Sequence, residues 1–410
     1  YEIARRVHNG MIDRRPAAIA RCLVNADVVD ALAFAQANNL EVAVRGGGHN
    51  VAGRAVCDDG LMIDLSLMKG TWVDPGRQRV QVQAGATWGE FNRATQLHGL
   101  AATGGAVSST GVAGLTLGGG FGFLSGKCGY TIDNLRAVEL ITAGGEVVRA
   151  SDEENPELFW GLRGGGGNFG VATGFEFDLQ KIGPEVHGGM IAHPFAAATD
   201  MLRFYRDLTT DLPDEFTILA GLTHARDSER TKLAAIVPCH CGTANDGAIA
   251  MEKVRSFGNP AADGLGPLTY SALNQIFDPG VPKLDLYYWK SCFIKELSDD
   301  VIAILEAQFA TCPSRKTKIF VEHFHGAALR PEPSAMAFPH REAGYSILII
   351  TQWTDPLDNE RNIAWTRQTY DLLMPHAREG AYTNYMDDDE SIARIREAFG
   401  DNFPRLQKLK

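Results

Sequence analysis

The sequence predicts an α+β protein of two domains, and three observations carry that prediction. The chain has 410 residues, more than one hydrophobic core of roughly 100–200 residues usually organises. Its 44 glycines are concentrated in the first part, in the runs 46–48, 104–122 and 164–167. Past about residue 180 the texture changes to amphipathic helical patterns alternating with apolar strand-like runs. The expected boundary lies near Lys181 to Pro184.

Taken in order, residues 27–37 carry apolar positions at helical spacing, with Asp27 as the expected cap. Short apolar and β-branched runs bounded by turn residues predict strands at 42–44, 61–65, 80–84, 137–141 and 174–178, with a helix at 88–97. The second part offers helices at 196–208, 299–310 and 359–373 and strands at 233–237, 319–324 and 345–352. Strands apolar on one face and interleaved with helices predict a single sheet backed by helices. Its other face is left free to cover a ligand.

The composition excludes several classes of function. An apolar share of 45% and a charged share of 22% belong to a globular chain, and no run reaches the ~20 apolar residues of a membrane span. With 39 basic and 50 acidic residues the net charge is −11, which gives no general attraction to nucleic acid or anionic lipid. The expected partner is a small molecule, and the oligomeric state stays open between monomer and homodimer. Seven cysteines, an odd number scattered along the chain, and the lack of a basic-then-apolar leader point to a cytoplasmic protein without a disulfide framework.

The first glycine run follows a strand and ends in His49-Asn50. Its N–H groups suit an anion-binding nest for a pyrophosphate. His49 is then either a reactive group beside a cofactor or a hydrogen-bonded structural residue. The second run is not a dinucleotide fingerprint, because Gly120-Phe121-Gly122 leads to Ser125 and Glu139 lies inside a strand pattern. Nor is it a nucleotide-hydrolase phosphate loop: Phe121 holds the first glycine position before Gly126-Lys127, and Cys128 replaces the required Ser or Thr.

Read together, several ordered segments carry a resemblance. They are Arg45-Gly46-Gly47-Gly48-His49-Asn50, Asp64-Leu65-Ser66, Gly85-Ala86, residues 110–122, Asp133-Asn134, residues 155–160, residues 163–171 and Tyr382-Thr383-Asn384-Tyr385. The chain resembles the vanillyl-alcohol oxidase superfamily of PCMH-type FAD-linked oxidases, in the branch containing berberine bridge enzyme and bacterial hydroxynicotine oxidases. The resemblance implies a two-subdomain FAD-binding domain over residues 1–180, a substrate domain with an antiparallel sheet backed by helices over 181–375, and a berberine bridge enzyme-like segment over 376–410 that returns to the flavin.

By the same resemblance, the flavin 8α-methyl is bonded to His49. Cofactor contacts are implied at Arg45, Gly46, Gly47, Gly48, His49, Asn50, Val107, Ser108, Thr110, Gly111, Gly114, Leu115, Gly118, Gly119, Phe123, Asn134, Gly170 and Val171. Doubly linked relatives carry a cysteine where Val107 stands, so a single linkage is implied, with Cys128 an ordinary small residue. Tyr385 is the implied base, accompanied by Tyr382. A period of two along this segment points the two tyrosines opposite ways. Thr110 stands where the family gates oxygen, and its shape is close to the permissive valine.

In the second domain, His323 and His325 share one strand face and suit substrate hydrogen bonding or a metal, with no matching distant ligand pair for the latter. Cys239-His240-Cys241 has the same weakness. Lys290 and Gln352, beside Tyr287, Tyr288, Trp289 and Trp353, are further substrate contacts expected in an aromatic pocket. The expected reaction is hydride removal from an alcohol or amine carbon to flavin, with oxygen as reoxidant and hydrogen peroxide as product. A dehydrogenase using another acceptor and a flavin-bearing protein that sequesters a natural product are the alternatives.

Overall fold

The computed structural model describes residues 1–410. Its glycine-rich part holds two small sheets. A parallel sheet runs in the order Ala18–Arg21, Leu61–Asp64, Val42–Arg45. Its middle strand is buried along its whole length, as a covered parallel strand must be, and helix Asn25–Ala37 covers it through Val28, Ala31, Leu32 and Ala35. Asp27 is not the cap that the sequence pattern indicates. It lies inside the first turn, where its carboxylate accepts the backbone N–H groups of Leu23 and Val24 at 2.7 and 3.1 Å, so the helix starts earlier, at Asn25.

The second small sheet is antiparallel, in the order Thr71–Asp74, Arg79–Gln83, Val171–Asp178, Leu135–Ile141, Val147–Ser151. Helix Trp88–Gln96 packs beside it. Thr87 and Glu90 close a reciprocal cap at its start, with the Thr87 N–H donating to Glu90 Oε2 at 2.9 Å and the Glu90 N–H to Thr87 Oγ1 at 3.4 Å. Trp88 and Phe91 of that helix meet Phe177 of the sheet edge-on or tilted, geometries that aromatic quadrupoles favour.

A nine-stranded sheet dominates the second part. Its main path is Ala262–Asp263, Ile191–Pro194, Lys232–His240, Phe216–His224, Lys318–Phe324, Gly344–Trp353, Leu286–Ile294, antiparallel throughout. Strand period decides the two faces. Ile319, Val321, Ile347 and Ile349 point into a core formed with helices Ala198–Leu208, Ala244–Arg255, Asp299–Ala310 and Asn359–Leu373. Phe320, Leu348, Ile350, Tyr287 and Trp289 point the other way, towards the glycine loops.

Two separate cores result, one drawn from Cys22 to Leu179 and one from Ile191 to Leu373. The last segment then crosses back. Leu406 packs on Trp160, Arg405 pairs with Glu157, and Asp387 accepts the Trp289 N–H at 3.2 Å. All seven cysteines are free thiols, and no helix is long and apolar enough to cross a membrane.

Candidate active site

Between the open face of the large sheet and the glycine loops lies a cavity of about 650 Å³, a size typical of cofactor and small-ligand sites. Its floor is the loop Gly46–Gly48 with His49 and Asn50, the segment from Thr110 to Gly118, and the loop of Gly165, Gly166 and Gly167. Its roof is Trp289, Phe320, Glu322, Leu348 and Ile350, and one end is closed by Tyr382 and Tyr385. Glycine is required where two of the floor loops meet. A Cβ on Gly47 falls 2.5 Å from the backbone of Gly111, so the two loops approach main chain to main chain. A Cβ on Gly114 meets nothing within 4 Å, so that position opens directly into the cavity.

His49 ends the first loop. Its ring stacks on His8 at 4.0 Å between centroids, and Trp289 lies 6.4 Å away. Burial, helped by the charge of Lys283, holds its pKa down to about 4, so the imidazole is neutral at physiological pH. Its Nε2 is shut off from solvent without a hydrogen-bond partner. A buried nitrogen left unpaired is costly and points to a group that the cavity receives.

At the closed end, Tyr385 Oη donates to Glu322 Oε1 at 3.0 Å. Glu322 is 8% exposed, and burial lifts its carboxyl to about 7 against the opposing pull of neighbouring hydroxyls. Its Oε2 has no partner. The Tyr385 phenol is pushed well above its ordinary range by burial and by the Glu322 charge. Tyr382 Oη accepts the Gly120 N–H at 3.1 Å and the Asn384 side-chain N–H at 2.8 Å. Asn384 also donates to the Leu115 carbonyl at 3.0 Å, tying the closing segment to the floor.

The structure brings Gly46, Gly47, Gly48, His49, Asn50, Val107, Thr110, Gly111, Gly114, Leu115, Gly118, Gly170, Tyr382 and Tyr385 to this one cavity. The opposed tyrosines expected from a period of two are corrected. Thr383–Tyr385 is a 3-10 turn rather than a strand, and residues three apart in such a turn lie on the same side. The rings sit edge to face at 4.8 Å.

Other expected contacts fall outside the cavity lining. Arg45 donates to the Ala4 carbonyl, Ser108 is held by Asp278, and Asn134 bonds the Cys128 and Tyr130 carbonyls at 2.8 and 2.9 Å. Phe123 stacks on Phe277 in a neighbouring apolar cluster while Phe121 takes the cavity position. Gly119 lies against Phe338, and Val171 points into the first core.

The substrate contacts need firmer correction. Lys290 shares its face with Cys292 and Ile294, turned towards the helices, and its ammonium is held by Asp389 and Glu390 at 2.7 and 2.6 Å. His323 follows Ile319 and Val321 onto the helix face and stacks on His325, which packs against Gly126. Gln352 does sit on the open face but lines a different cavity, bonded to Asp285 and Lys318 at 2.6 Å each. Glu322, next to His323 in the sequence, is the cavity residue that no sequence motif marks. The signal was the alternation itself, since a strand whose Ile319 and Val321 face helices must turn Glu322 the other way.

A family model described as an FAD binding domain matches residues 16–151, and one described as berberine and berberine like matches residues 381–410. The chain is similar to an FAD-linked oxidoreductase of Dictyostelium discoideum, 32% identical over 388 residues that cover 94% of this chain and 83% of the relative. It is also similar to (R)-6-hydroxynicotine oxidase of Paenarthrobacter nicotinovorans, 30% identical over 373 residues covering 86% and 78%. The crystal structure of 6-hydroxy-D-nicotine oxidase from Arthrobacter nicotinovorans matches with a TM-score of 0.88 at 25% identity, covering 99% of this chain and 91% of that one.

Fold, cavity and matches together define an FAD-linked oxidoreductase. The chain belongs to the berberine bridge enzyme-like family of these flavoproteins. The residues present fit the cofactor, since the floor is walled by glycine backbone and the neutral His49 imidazole keeps an unpaired buried nitrogen.

Proposed function

We propose that the chain is an oxidase that removes a hydride and a proton from an alcohol or amine carbon of a small molecule, with FAD attached covalently through His49 alone. The observation that carries this reading is the Tyr385–Glu322 pair facing a glycine-walled cavity. Bound FAD would supply the two-electron acceptor, with oxygen as reoxidant and hydrogen peroxide as the product.

The chain's own part is proton management and exclusion of water. Tyr385 is a poor base by itself, because burial keeps its phenol protonated. Glu322 is the better acceptor, with a carboxyl near 7 and a free Oε2, since a base matched to ambient pH is the most effective. The substrate hydroxyl or amine proton passes to Glu322 directly or through Tyr385, whose O–H already points at it. Phe121, Trp289 and Tyr382 close around this end and keep it dry. Val107 and Thr110 line the cavity. The first supports a single linkage, since valine offers no thiol, and the second supports access for oxygen.

The test is an anaerobic screen of sugar alcohols, aromatic alcohols and cyclic amines for bleaching of the oxidised-flavin absorbance. At least one class is expected to bleach it in the wild type and not in Glu322→Gln. Tight binding without bleaching across all classes counts against an enzyme and favours sequestration.

A further inference from the structure

A second cavity, of about 490 Å³, lies on the same open face of the large sheet. Leu219, Phe277, Val281 and Phe320 line both cavities, so the two share an apolar wall. The charged residues of the second lining are all cationic, Arg226, Arg230, Arg315, Lys316 and Lys318, in a chain whose net charge is −11. No lining residue is acidic. The carboxylates beside the lining are already engaged, Asp285 by Lys316 at 2.7 Å and Gln352 at 2.6 Å, Asp278 by Ser108 at 2.9 Å and Asp227 by Thr231 at 3.0 Å.

Lys318 is the centre of this imbalance. Its ammonium donates only to neutral acceptors, Gln352 Oε1 at 2.6 Å and the Lys316 carbonyl at 3.0 Å. Burial and the charges of Lys316, Arg226 and Arg230 hold its pKa down to about 7, although Asp285 pulls the other way. A half-buried ammonium with no carboxylate in contact is costly, and a bound anion relieves that cost.

The sheet also fixes a length. Lys318, Phe320 and Glu322 alternate on one face of strand Lys318–Phe324. Four residues at ~3.3 Å each put Lys318 about 13 Å from Glu322. We propose that the second cavity is the far subsite of the substrate channel, selecting molecules that carry a carboxylate or phosphate ester about 13 Å from the oxidised carbon, joined by an apolar or aromatic middle. This rests on the reading of Glu322 and Tyr385 as the reacting end.

The test uses the flavin-loaded full chain. It is titrated with ω-phenylalkanoates, from phenylacetate to phenyldecanoate, and with the matching primary amides, following the visible flavin spectrum and the heat of binding. At the length that spans the two ends, the acid is expected to bind at least about tenfold more tightly than its amide, and the short acids to show no such preference. The preference is expected to vanish in Lys318→Met and to shrink in Arg226→Gln, an exposed position whose loss leaves the fold intact. Equal binding of acid and amide at every length, or a preference that survives Lys318→Met, overturns the proposal. So does inorganic phosphate that binds through Lys318 without competing with the phenylalkanoates, because the site is then a separate effector site. A colourless preparation refutes the flavin reading itself, whereas a yellow, reducible protein without the acid preference refutes the subsite alone.

Discussion

Replacing Glu322 with glutamine is expected to slow substrate oxidation and to stabilise the fold, and both effects come from one buried carboxyl. Burial raises Glu322 from its ordinary 4.5 to about 7, which is worth about 3 kcal/mol against the ionised form at 1.36 kcal/mol per pKa unit. Between those two values the native state holds more protons than the unfolded chain, so stability falls as pH rises, and the full cost is present above about pH 7. Glutamine keeps the size and an acceptor for the Tyr385 O–H but carries no charge. At about pH 8 the variant is expected to be more stable by about 2–3 kcal/mol, with the gain gone near pH 4.5.

The kinetic effect runs the other way. Loss of a positioned proton acceptor costs on the order of 10²–10⁴ in rate. Stopped-flow reduction of the flavin, with the substrate returned by the screen, is expected to accelerate through pH 7 in the wild type and then level off. The variant is expected to be slow and flat. Urea unfolding at both pH values supplies the stability arm. A variant that reduces at the wild-type rate, or that is less stable than wild type at about pH 8, refutes the reasoning.

Other expected outcomes follow from single contacts. Tyr385→Phe removes the donor that lowers the Glu322 pKa, so the rise in reduction rate with pH is expected to move to higher pH and its plateau to drop by about tenfold or more; an unmoved profile excludes the pair as the proton path. His49→Ala is expected to give a colourless acid-precipitated pellet where wild type and Cys128→Ala stay yellow, read by absorbance of the redissolved protein. Lys290→Met is expected to lower stability by about 3 kcal/mol, because it strands the partly buried Glu390 while Asp389 keeps Arg367 and Tyr288, and to leave the reduction rate per bound flavin near wild type. A large loss of rate at unchanged stability restores Lys290 as a substrate contact.

Much of the fold was readable in the sequence because its elements carry local signals. The helices Asp299–Ala310 and Asn359–Leu373 keep the bounds that their apolar spacing indicates, and the glycine runs mark the loops that floor the cavity. The site was less readable, for two physical reasons. Side-chain direction on a strand depends on parity, so a histidine-rich strand draws the choice to His323 over Glu322, and Lys290 is grouped with Trp289 although the two face opposite ways. Conformation also changes within a motif, so the turn Thr383–Tyr385 places together two tyrosines that a strand separates. Partners distant in sequence were invisible altogether. His8 reaches His49 from the start of the chain, and the acids Asp389 and Glu390, about a hundred residues from Lys290, meet it only once the tail has returned.

Reoxidation of the reduced flavin tests the oxidase reading most directly, and it needs no knowledge of the substrate. The flavin-loaded protein is reduced anaerobically with dithionite, freed of excess reductant and mixed with air-saturated buffer while absorbance and peroxide are followed. Oxidised flavin is expected to return within seconds with one peroxide per flavin. A flavin that stays reduced for minutes in air, and recovers only when a quinone is added, contradicts the account and assigns the chain to the dehydrogenases.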